Sequence, residues 1–195
     1  MLIIGLTGGI GMGKSTAAKI LAGFGLPVYD ADCAVHALLS KGGAAVKPVA
    51  KIFPEALHNG AIDRALVGKA AFAHPEKLRK LEKILHPLVH RVEREFLKQA
   101  RRAKAKAVVL EIPLLFETGA EKRCDVTLCV TAPKSIQKLR VMKRKGMTAA
   151  RYKSILVRQM PDAEKQRRAD YTVNTGKSRA DTQKQLRRIL DERLK

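Results

Sequence analysis

A glycine-rich segment near the start of the chain constrains the fold more than any other feature. The segment reads Gly8-Gly9-Ile10-Gly11-Met12-Gly13-Lys14-Ser15. It fits the pattern G-x-x-x-x-G-K-S/T, which is typical of a phosphate-binding loop when it joins a strand to a helix. The apolar run Leu2–Thr7 precedes it, and a helix is predicted from about Lys14 to Phe24, so the required context is present.

The chemistry of this loop follows from its backbone. Glycines let successive N–H groups point inward at phosphate oxygens, and the positive end of the next helix adds to the anion site. Lys14 is predicted to reach the β- and γ-phosphates of ATP, and the Ser15 hydroxyl to ligate Mg²⁺ directly. The predicted ATP site also includes Gly8, Gly9, Gly11, Met12, Gly13 and Thr16.

Strands alternate with helices along the chain, which predicts an α/β fold with a parallel five-stranded sheet covered on both faces. After the first strand, the predicted strands are Pro27–Asp30, Ala107–Ile112, Asp125–Thr131 and Tyr171–Val173. Asp63, Thr148 and Ser178 are predicted to cap helices, and Pro75 to start a long basic helix. Pro87 is predicted to interrupt that helix, because it removes a backbone donor. Two further helices are predicted near Lys134–Lys145 and Ala149–Met160.

The chain is strongly basic, with a formal net charge of +21. Residues 134–168 hold twelve Lys and Arg against Asp162 and Glu164, which leaves +10. Residues 77–106 hold eleven against three Glu, which leaves +8. Such charge favours a polyanionic partner, so a nucleic-acid-binding ATPase is one alternative. Aromatic residues that could stack bases are not interleaved with the charge, so we expect no specific nucleic-acid partner.

The apolar runs and the cysteines bear on location. Every apolar run falls short of the ~18 residues that cross a bilayer, so we expect no membrane association. Cys33, Cys124 and Cys129 form no CxxC pair, which is typical of a reducing cytoplasm. We therefore expect a cytoplasmic protein, and we expect Cys33 to serve only in packing.

Two carboxylates follow the second predicted strand. Ligands of open α/β sheets gather beyond the carboxyl ends of the strands, so Asp30 and Asp32 are expected to face the phosphates. We predict that Asp32 accepts the proton of a substrate hydroxyl as a general base, and that Asp30 caps the next helix. The chain lacks the N-K-x-D pattern of GTPases. Another small-molecule or nucleotide kinase, such as an adenylate kinase, is the main alternative.

Several segments, in order and spacing, resemble the dephospho-CoA kinase family over essentially the whole chain. They are Gly5–Gly11, Gly13–Thr16, Asp30–Asp32, Leu85–Pro87, Pro113–Glu117, Gln159, Ala169-Asp170, Asn174 and Gly176. The resemblance implies that ATP phosphorylates the ribose 3′-hydroxyl of dephospho-CoA, the last step of coenzyme A synthesis. It also implies three parts: a three-layer P-loop kinase core at 1–38, 107–133 and 169–195, a helical substrate-binding insert at 39–106, and a helical lid at 134–168.

The resemblance also assigns residues by position. Asp32 matches the base, and Arg140 matches the lid arginine. Asn174 and Gly176 are expected at the nucleotide. Besides Asp32, the residues expected to contact the acceptor are His86, Leu114, Leu115, Phe116 and Glu117. The expected state is a monomer or a weak homo-oligomer.

The predicted lid helix has a pattern of its own. Arg140 and Arg144 are four residues apart, so on a helix they share a face. The apolar residues expected on the opposite side are Ile136, Leu139 and Met142. Two guanidinium groups would offset the charge of a triphosphate, although a solvated face is the alternative for Arg144.

Two positions depart from the family pattern, and two others keep two interpretations. Met12 stands where the family has a small polar residue, and His36 where an arginine is common. Glu111 either contacts Mg²⁺ through water or is a strand-end carboxylate paired with a basic neighbour. His86 either lines the acceptor site or only shapes the helix near Pro87.

Overall fold

The computed structural model describes residues 1–194, apart from the side chains of Phe72 and Ala73. In chain order its elements are β1 (Leu2–Thr7), α1 (Lys14–Gly23), β2 (Val28–Asp30), α2 (Ala31–Leu39), α3 (Val46–Ala50), β3 (Leu57–His58), β4 (Ala61–Ile62), α4 (Arg64–Ala73), α5 (Pro75–Arg102), β5 (Ala107–Glu111), β6 (Val126–Thr131), α6 (Lys134–Met142), α7 (Ala149–Arg158), α8 (Asp162–Arg168), β7 (Tyr171–Asn174) and α9 (Arg179–Arg193). In this part of the chain no helix combines the length and the apolar character that crossing a bilayer requires.

The five-stranded sheet has the order β2-β5-β1-β6-β7, and its strands are the five that the sequence predicts. Strand β1 pairs in parallel with both β5 and β6, and β6 pairs in parallel with β7. In this register Leu6 lies opposite Glu111, and Thr131 lies opposite Asn174. The ends of these strands therefore meet at the edge where the glycine-rich loop begins.

The sheet strands are almost continuously apolar because both of their faces are covered. Ile4, Leu6, Val109, Leu128 and Val130 are all buried within one cluster. Helices α1 and α9 contribute to the same cluster through Ala17, Ile20, Leu21, Leu186, Ile189 and Leu190. The predicted α/β architecture, with helices packed on a parallel sheet, is confirmed.

The chain divides into two compact units, one formed by Met1–Tyr29 with the chain from Ala100 onward, and the other by Asp30–Gln99. The second unit has its own core around the fully buried Phe53. It also contains the hairpin β3–β4, which was not predicted from the sequence. Asn59 and Gly60 have φ values of 49° and 79°, as a two-residue hairpin turn requires. The functional boundaries given above stay a prediction.

Helix α5 runs unbroken from Pro75 to Arg102, so the predicted interruption at Pro87 is wrong. A proline removes one hydrogen bond, whereas a helix of 28 residues keeps the others. One face of α5 also packs on the core of its own unit, through Leu78, Leu81, Ile84, Leu85, Leu88 and Val89. Packing of this apolar face on the core outweighs the local loss at the proline.

The predicted helix caps are confirmed. Asp63 accepts from the backbone N–H groups of Ala65 and Leu66, and Thr148 accepts from that of Arg151. Ser178 caps α9 in the same way, by accepting from Asp181 N. The region 134–168 holds three helices rather than the predicted two, and α6 ends earlier than predicted, at Met142.

Candidate active site

The glycine-rich loop has a backbone that only glycine adopts easily. Gly11 and Gly13 have φ values of 76° and 87°, in the left-handed region. A Cβ atom on Gly13 would lie 2.6 Å from Thr175 Oγ1, and one on Gly11 would lie 2.5 Å from Val141 Cγ2. The glycines therefore provide both the curl of the loop and its close contact with two neighbouring segments.

Lys14 and Ser15 converge on one carboxylate at the mouth of the loop. Lys14 Nζ lies 2.5 Å from Glu111 Oε1, and Ser15 Oγ lies 3.4 Å from the same oxygen. The Glu111 side chain is only 5% exposed, because β5 lies between two other strands. The pairing with a basic neighbour, which is one of the two interpretations of Glu111, is thus observed, and the neighbour is Lys14.

Met12 differs from the small polar residue of the family, yet its side chain stays out of the loop mouth. It is buried in the main core, where its Sδ accepts from Ala132 N at 3.2 Å. Its carbonyl oxygen accepts from Thr175 Oγ1 at 2.7 Å. We therefore expect Met12 to act on a bound phosphate only through the backbone.

Arg140 joins α6 to two other segments. Its Nη1 donates to Thr175 Oγ1 at 3.0 Å and to the Gly11 carbonyl at 3.4 Å, and its Nη2 donates to the Thr175 carbonyl at 2.7 Å. Thr175 is itself 4% exposed. The guanidinium group therefore ties α6 to the glycine-rich loop and to the connection between β7 and α9.

The prediction that Arg140 and Arg144 share a helix face is wrong, because α6 ends at Met142 and Arg144 is exposed beyond it. Of the three apolar residues expected on the opposite side, Ile136 packs against the main core, whereas Leu139 is 57% exposed and Met142 38%. The buried positions of α6 are Gln137 and Val141. This side of α6 contacts the backbone of the glycine-rich loop. The Gln137 carboxamide can hydrogen-bond to that backbone, whereas an aliphatic side chain could not.

The turn that follows β7 holds two of the predicted nucleotide residues. Asn174 Oδ1 accepts from Gly176 N at 2.7 Å, so the asparagine side chain shapes this turn. A Cβ atom on Gly176 would lie 2.4 Å from Pro133 Cδ, which explains why glycine fits here. Thr175 lies between them and was not among the residues predicted from the sequence, although its position between two predicted nucleotide residues was a signal.

The segment Pro113–Glu117 is mostly buried and bonded within its own unit. Leu115 and Phe116 are buried, whereas Leu114 is 39% exposed. Glu117 Oε1 lies 2.8 Å from Lys165 Nζ and accepts from Met160 N, also at 2.8 Å. Lys165 is fully buried. Of the four predicted acceptor contacts in this segment, only Leu114 has a substantially exposed side chain.

The other unit contains the two aspartates, and the helix cap predicted for Asp30 is observed there. Asp30 caps α2, since its Oδ1 accepts from Cys33 N at 3.0 Å. Asp32 lies in the first turn of α2 and is exposed. His36 on α2 and His86 on α5 are exposed as well.

The three cysteines have different surroundings. Cys33 is exposed, and its Sγ donates to Asp30 Oδ2 at 3.2 Å, so the expectation that it only packs is wrong. Cys129 is fully buried in β6. Burial raises the pKa of the Cys129 thiol to about 12, with a smaller contribution from the nearby carboxylate of Asp162. Cys129 therefore remains a neutral thiol, unsuited to act as a nucleophile.

Comparison with known proteins identifies the family of the chain. A family model described as dephospho-CoA kinase matches residues 2–181. A dephospho-CoA kinase from Rhizobium meliloti strain 1021 is 51% identical over 192 residues, which cover 98% of each chain. The crystal structure of a protein from Thermus thermophilus has a TM-score of 0.84 at 37% identity, covering 98% of this chain and 97% of the other. A dephospho-CoA kinase structure from Campylobacter jejuni has a TM-score of 0.71 at 28% identity, covering 97% and 96%. The chain belongs to the dephospho-CoA kinase family.

Proposed function

We propose that the chain transfers the γ-phosphoryl group of Mg-ATP to the ribose 3′-hydroxyl of dephospho-CoA, which yields coenzyme A and ADP. The observation that carries the phosphoryl site is the convergence of Lys14 and Ser15 on the buried Glu111 at the loop mouth. The acceptor rests on family membership, since the relatives compared above are themselves named dephospho-CoA kinases.

At the nucleotide end, the backbone N–H groups of the loop bind phosphate oxygens, and Lys14 places its charge beside the β- and γ-phosphates. Arg140 already donates to the Gly11 carbonyl within the loop, which supports a place near the phosphates. Two of its three bonds go to Thr175, so we propose that Arg140 also orders the turn at Asn174 and Gly176. Arg144, being exposed, adds attraction for the triphosphate.

The residues at the loop mouth fit a magnesium ion. A hydroxyl and a carboxylate are the oxygen ligands that Mg²⁺ prefers, and the ion usually keeps several waters. Ser15 would hold it directly and Glu111 through water. When bound with ATP, the ion neutralises charge on the β- and γ-phosphate oxygens.

At the acceptor end, we propose Asp32 as the general base. The 3′-oxygen forms a bond to the γ-phosphorus while the bond from that phosphorus to the oxygen of ADP breaks, and the hydroxyl proton passes to Asp32. The exposure of Asp32 supports this role, as does the commitment of Asp30 to its cap. His86 and Leu114 are proposed to contact the substrate directly, whereas Leu115, Phe116 and Glu117 shape the segment beneath.

We also propose that the protein works in the cytoplasm as a monomer or a weak homo-oligomer. Three cysteines without a CxxC pair support the location.

The test is a coupled assay of ADP release, with dephospho-CoA, AMP and shikimate supplied as separate acceptors and single-stranded RNA as an effector. We expect rapid turnover with dephospho-CoA alone and a product that carries phosphate on the ribose 3′-oxygen. Faster turnover with AMP or shikimate would reassign the acceptor. Stimulation of ATP hydrolysis by the RNA would favour the nucleic-acid-binding alternative.

A further inference from the structure

We infer that Gln137 and Gln159 are positioning residues that hold the first half of the phosphate-binding loop in its working conformation. The inference rests on the proposed use of this loop for ATP. Both residues bond to the backbone of Ile10, which lies between Gly9 and Gly11 at the start of the loop.

The two glutamines bond to Ile10 with opposite polarity. Gln137 Nε2 donates to the Ile10 carbonyl at 2.9 Å, and Gln159 Oε1 accepts from Ile10 N at 2.9 Å. Gln137 thus bonds to the carbonyl oxygen of Ile10, and Gln159 bonds to its N–H group. Together they orient the two peptide groups that flank the Ile10 Cα atom.

The second half of the loop has other supports. Thr16 N and Ala17 N both donate to the Gly13 carbonyl, as the first turn of α1 begins. Thr175 Oγ1 donates to the Met12 carbonyl at 2.7 Å. The helix itself and Thr175 therefore hold the N–H groups at the start of α1, which are proposed to bind phosphate.

The first half depends more on the glutamines. Within the loop, this half is supported by the hydrogen bond from Met12 N to the Gly9 carbonyl, at 3.1 Å. Gly9 and Gly11 flank Ile10, and Gly11 has a positive φ, so this stretch has a large conformational freedom to lose when it becomes ordered. Side-chain bonds to Ile10 lower that cost before the nucleotide arrives.

Both glutamines are themselves held in place. Gln137 is 5% exposed within α6. Gln159 directly follows α7, and the next residue, Met160, donates its N–H to Glu117. Glu117 is in turn paired with the buried Lys165. The Glu117 side chain therefore anchors the backbone next to Gln159.

The two halves of the loop should serve different phosphates. In loops of this pattern, backbone N–H groups cradle the α- and β-phosphates at the start of the helix, so the half around Ile10, at the other end of the loop, would lie toward the γ-phosphate. Loss of either glutamine should then weaken binding of the γ-phosphate and slow its transfer, and should spare ADP. Because Gln137 on α6 and Gln159 just after α7 both lie in the predicted lid, the two glutamines also link that region to the phosphate-binding loop.

The test uses the full-length variants Gln137→Met and Gln159→Met, which keep side-chain length and remove the carboxamide. Affinities for Mg-ADP and for Mg²⁺ with an ATP analogue bearing a non-hydrolysable β–γ bridge are measured by calorimetry. We expect analogue affinity to fall about three- to tenfold and ADP affinity to stay within about twofold, since one neutral hydrogen bond is lost. The control Gln183→Met, at an exposed position on α9, should leave both affinities unchanged.

A second pair of variants separates the effect of hydrogen-bond direction from the effect of added charge. Gln159→Glu and Gln137→Glu add the same charge near the loop, but glutamate at 159 keeps an acceptor for Ile10 N, whereas at 137 it faces the Ile10 carbonyl. We expect turnover of Gln137→Glu to be about tenfold below that of Gln159→Glu, with thermal unfolding confirming that both fold. Equal rates for the two glutamate variants, or an equal loss of ADP and analogue affinity in the methionine variants, would overturn the inference. Neither nucleotide measurement involves the acceptor, so an error in the acceptor assignment leaves the affinity test intact.

Discussion

At the scale of single residues, the ion pair of Lys14 and Glu111 gives the sharpest test of the phosphoryl site. Lys14→Ala should lower kcat about a thousandfold, because a charge 4 Å from a phosphate at an effective dielectric of 20 contributes ~4 kcal/mol. The matched control is Lys19→Ala, an exposed lysine on the same helix. Steady-state turnover of Lys14→Ala within a few-fold of wild type would show that the loop is not the phosphoryl site.

Asp32 and Asp30 form a natural matched pair. Asp32→Asn should lower kcat by about 10²–10⁴ and leave ATP affinity nearly unchanged, the usual effect of losing a general base. Asp30→Asn should have little effect, because asparagine caps a helix about as well as aspartate. Single-turnover transfer at saturating substrates measures both. A larger loss for Asp30→Asn, with both variants folded, would reverse the assignment.

The raised pKa of the buried Cys129 thiol predicts how the stability of the fold depends on pH. Its pKa is raised from 9.0 to about 12 by burial, so the folded protein keeps this proton where the unfolded chain loses it. The resulting stability is complete below pH 9 and is lost as the pH rises toward 12. Urea unfolding of Cys129→Ala should therefore show a flatter fall in the free energy of unfolding above about pH 9. Val130→Ala, at a buried position next to Cys129 that carries no titratable group, should keep the wild-type slope, and an unchanged slope for Cys129→Ala would contradict the expectation.

At the scale of elements, the connection made by Arg140 from α6 to the turn after β7 can be measured. In a double-mutant cycle, Arg140→Ala and Thr175→Val should be coupled by about 0.5–3 kcal/mol in kcat/KM for ATP, because the two side chains share hydrogen bonds. Arg140→Lys should recover little, since an ammonium group cannot reproduce the forked contact. Arg144→Ala with Thr175→Val serves as the control cycle, and equal coupling in both cycles would refute a specific Arg140–Thr175 link.

At the scale of the whole molecule, the net charge of +21 should act mainly on encounter with anionic substrates. Removing charge from α5 with Lys80→Gln and Lys83→Gln should raise KM for dephospho-CoA modestly at low salt. The effect should fade near 0.15 M salt, where screening sets in beyond ~8 Å, and kcat should not change. Lys184→Gln with Arg188→Gln removes the same charge from α9. An equal rise in KM for that pair would mean that total charge, and not the charge of α5, matters.

Local rules predicted much of the fold and failed at identifiable places. The caps at Asp30, Asp63 and Ser178 could be predicted because a cap involves only residues two or three positions away. The side of α6 that faces the loop could not, because periodicity assumes that a buried face is apolar. Here the buried face of α6 contacts the backbone of the phosphate-binding loop, and its buried residue Gln137 donates to the Ile10 carbonyl.

The sequence by itself determined the phosphate-binding loop, the five strands and the family, since each depends on short patterns or on their order along the chain. Only the tertiary structure decided which side chains support the loop. Glu111 lies 97 residues from Lys14, and Gln137 and Gln159 lie 127 and 149 residues from Ile10. Such contacts depend on strand order and helix packing, so no local pattern encodes them.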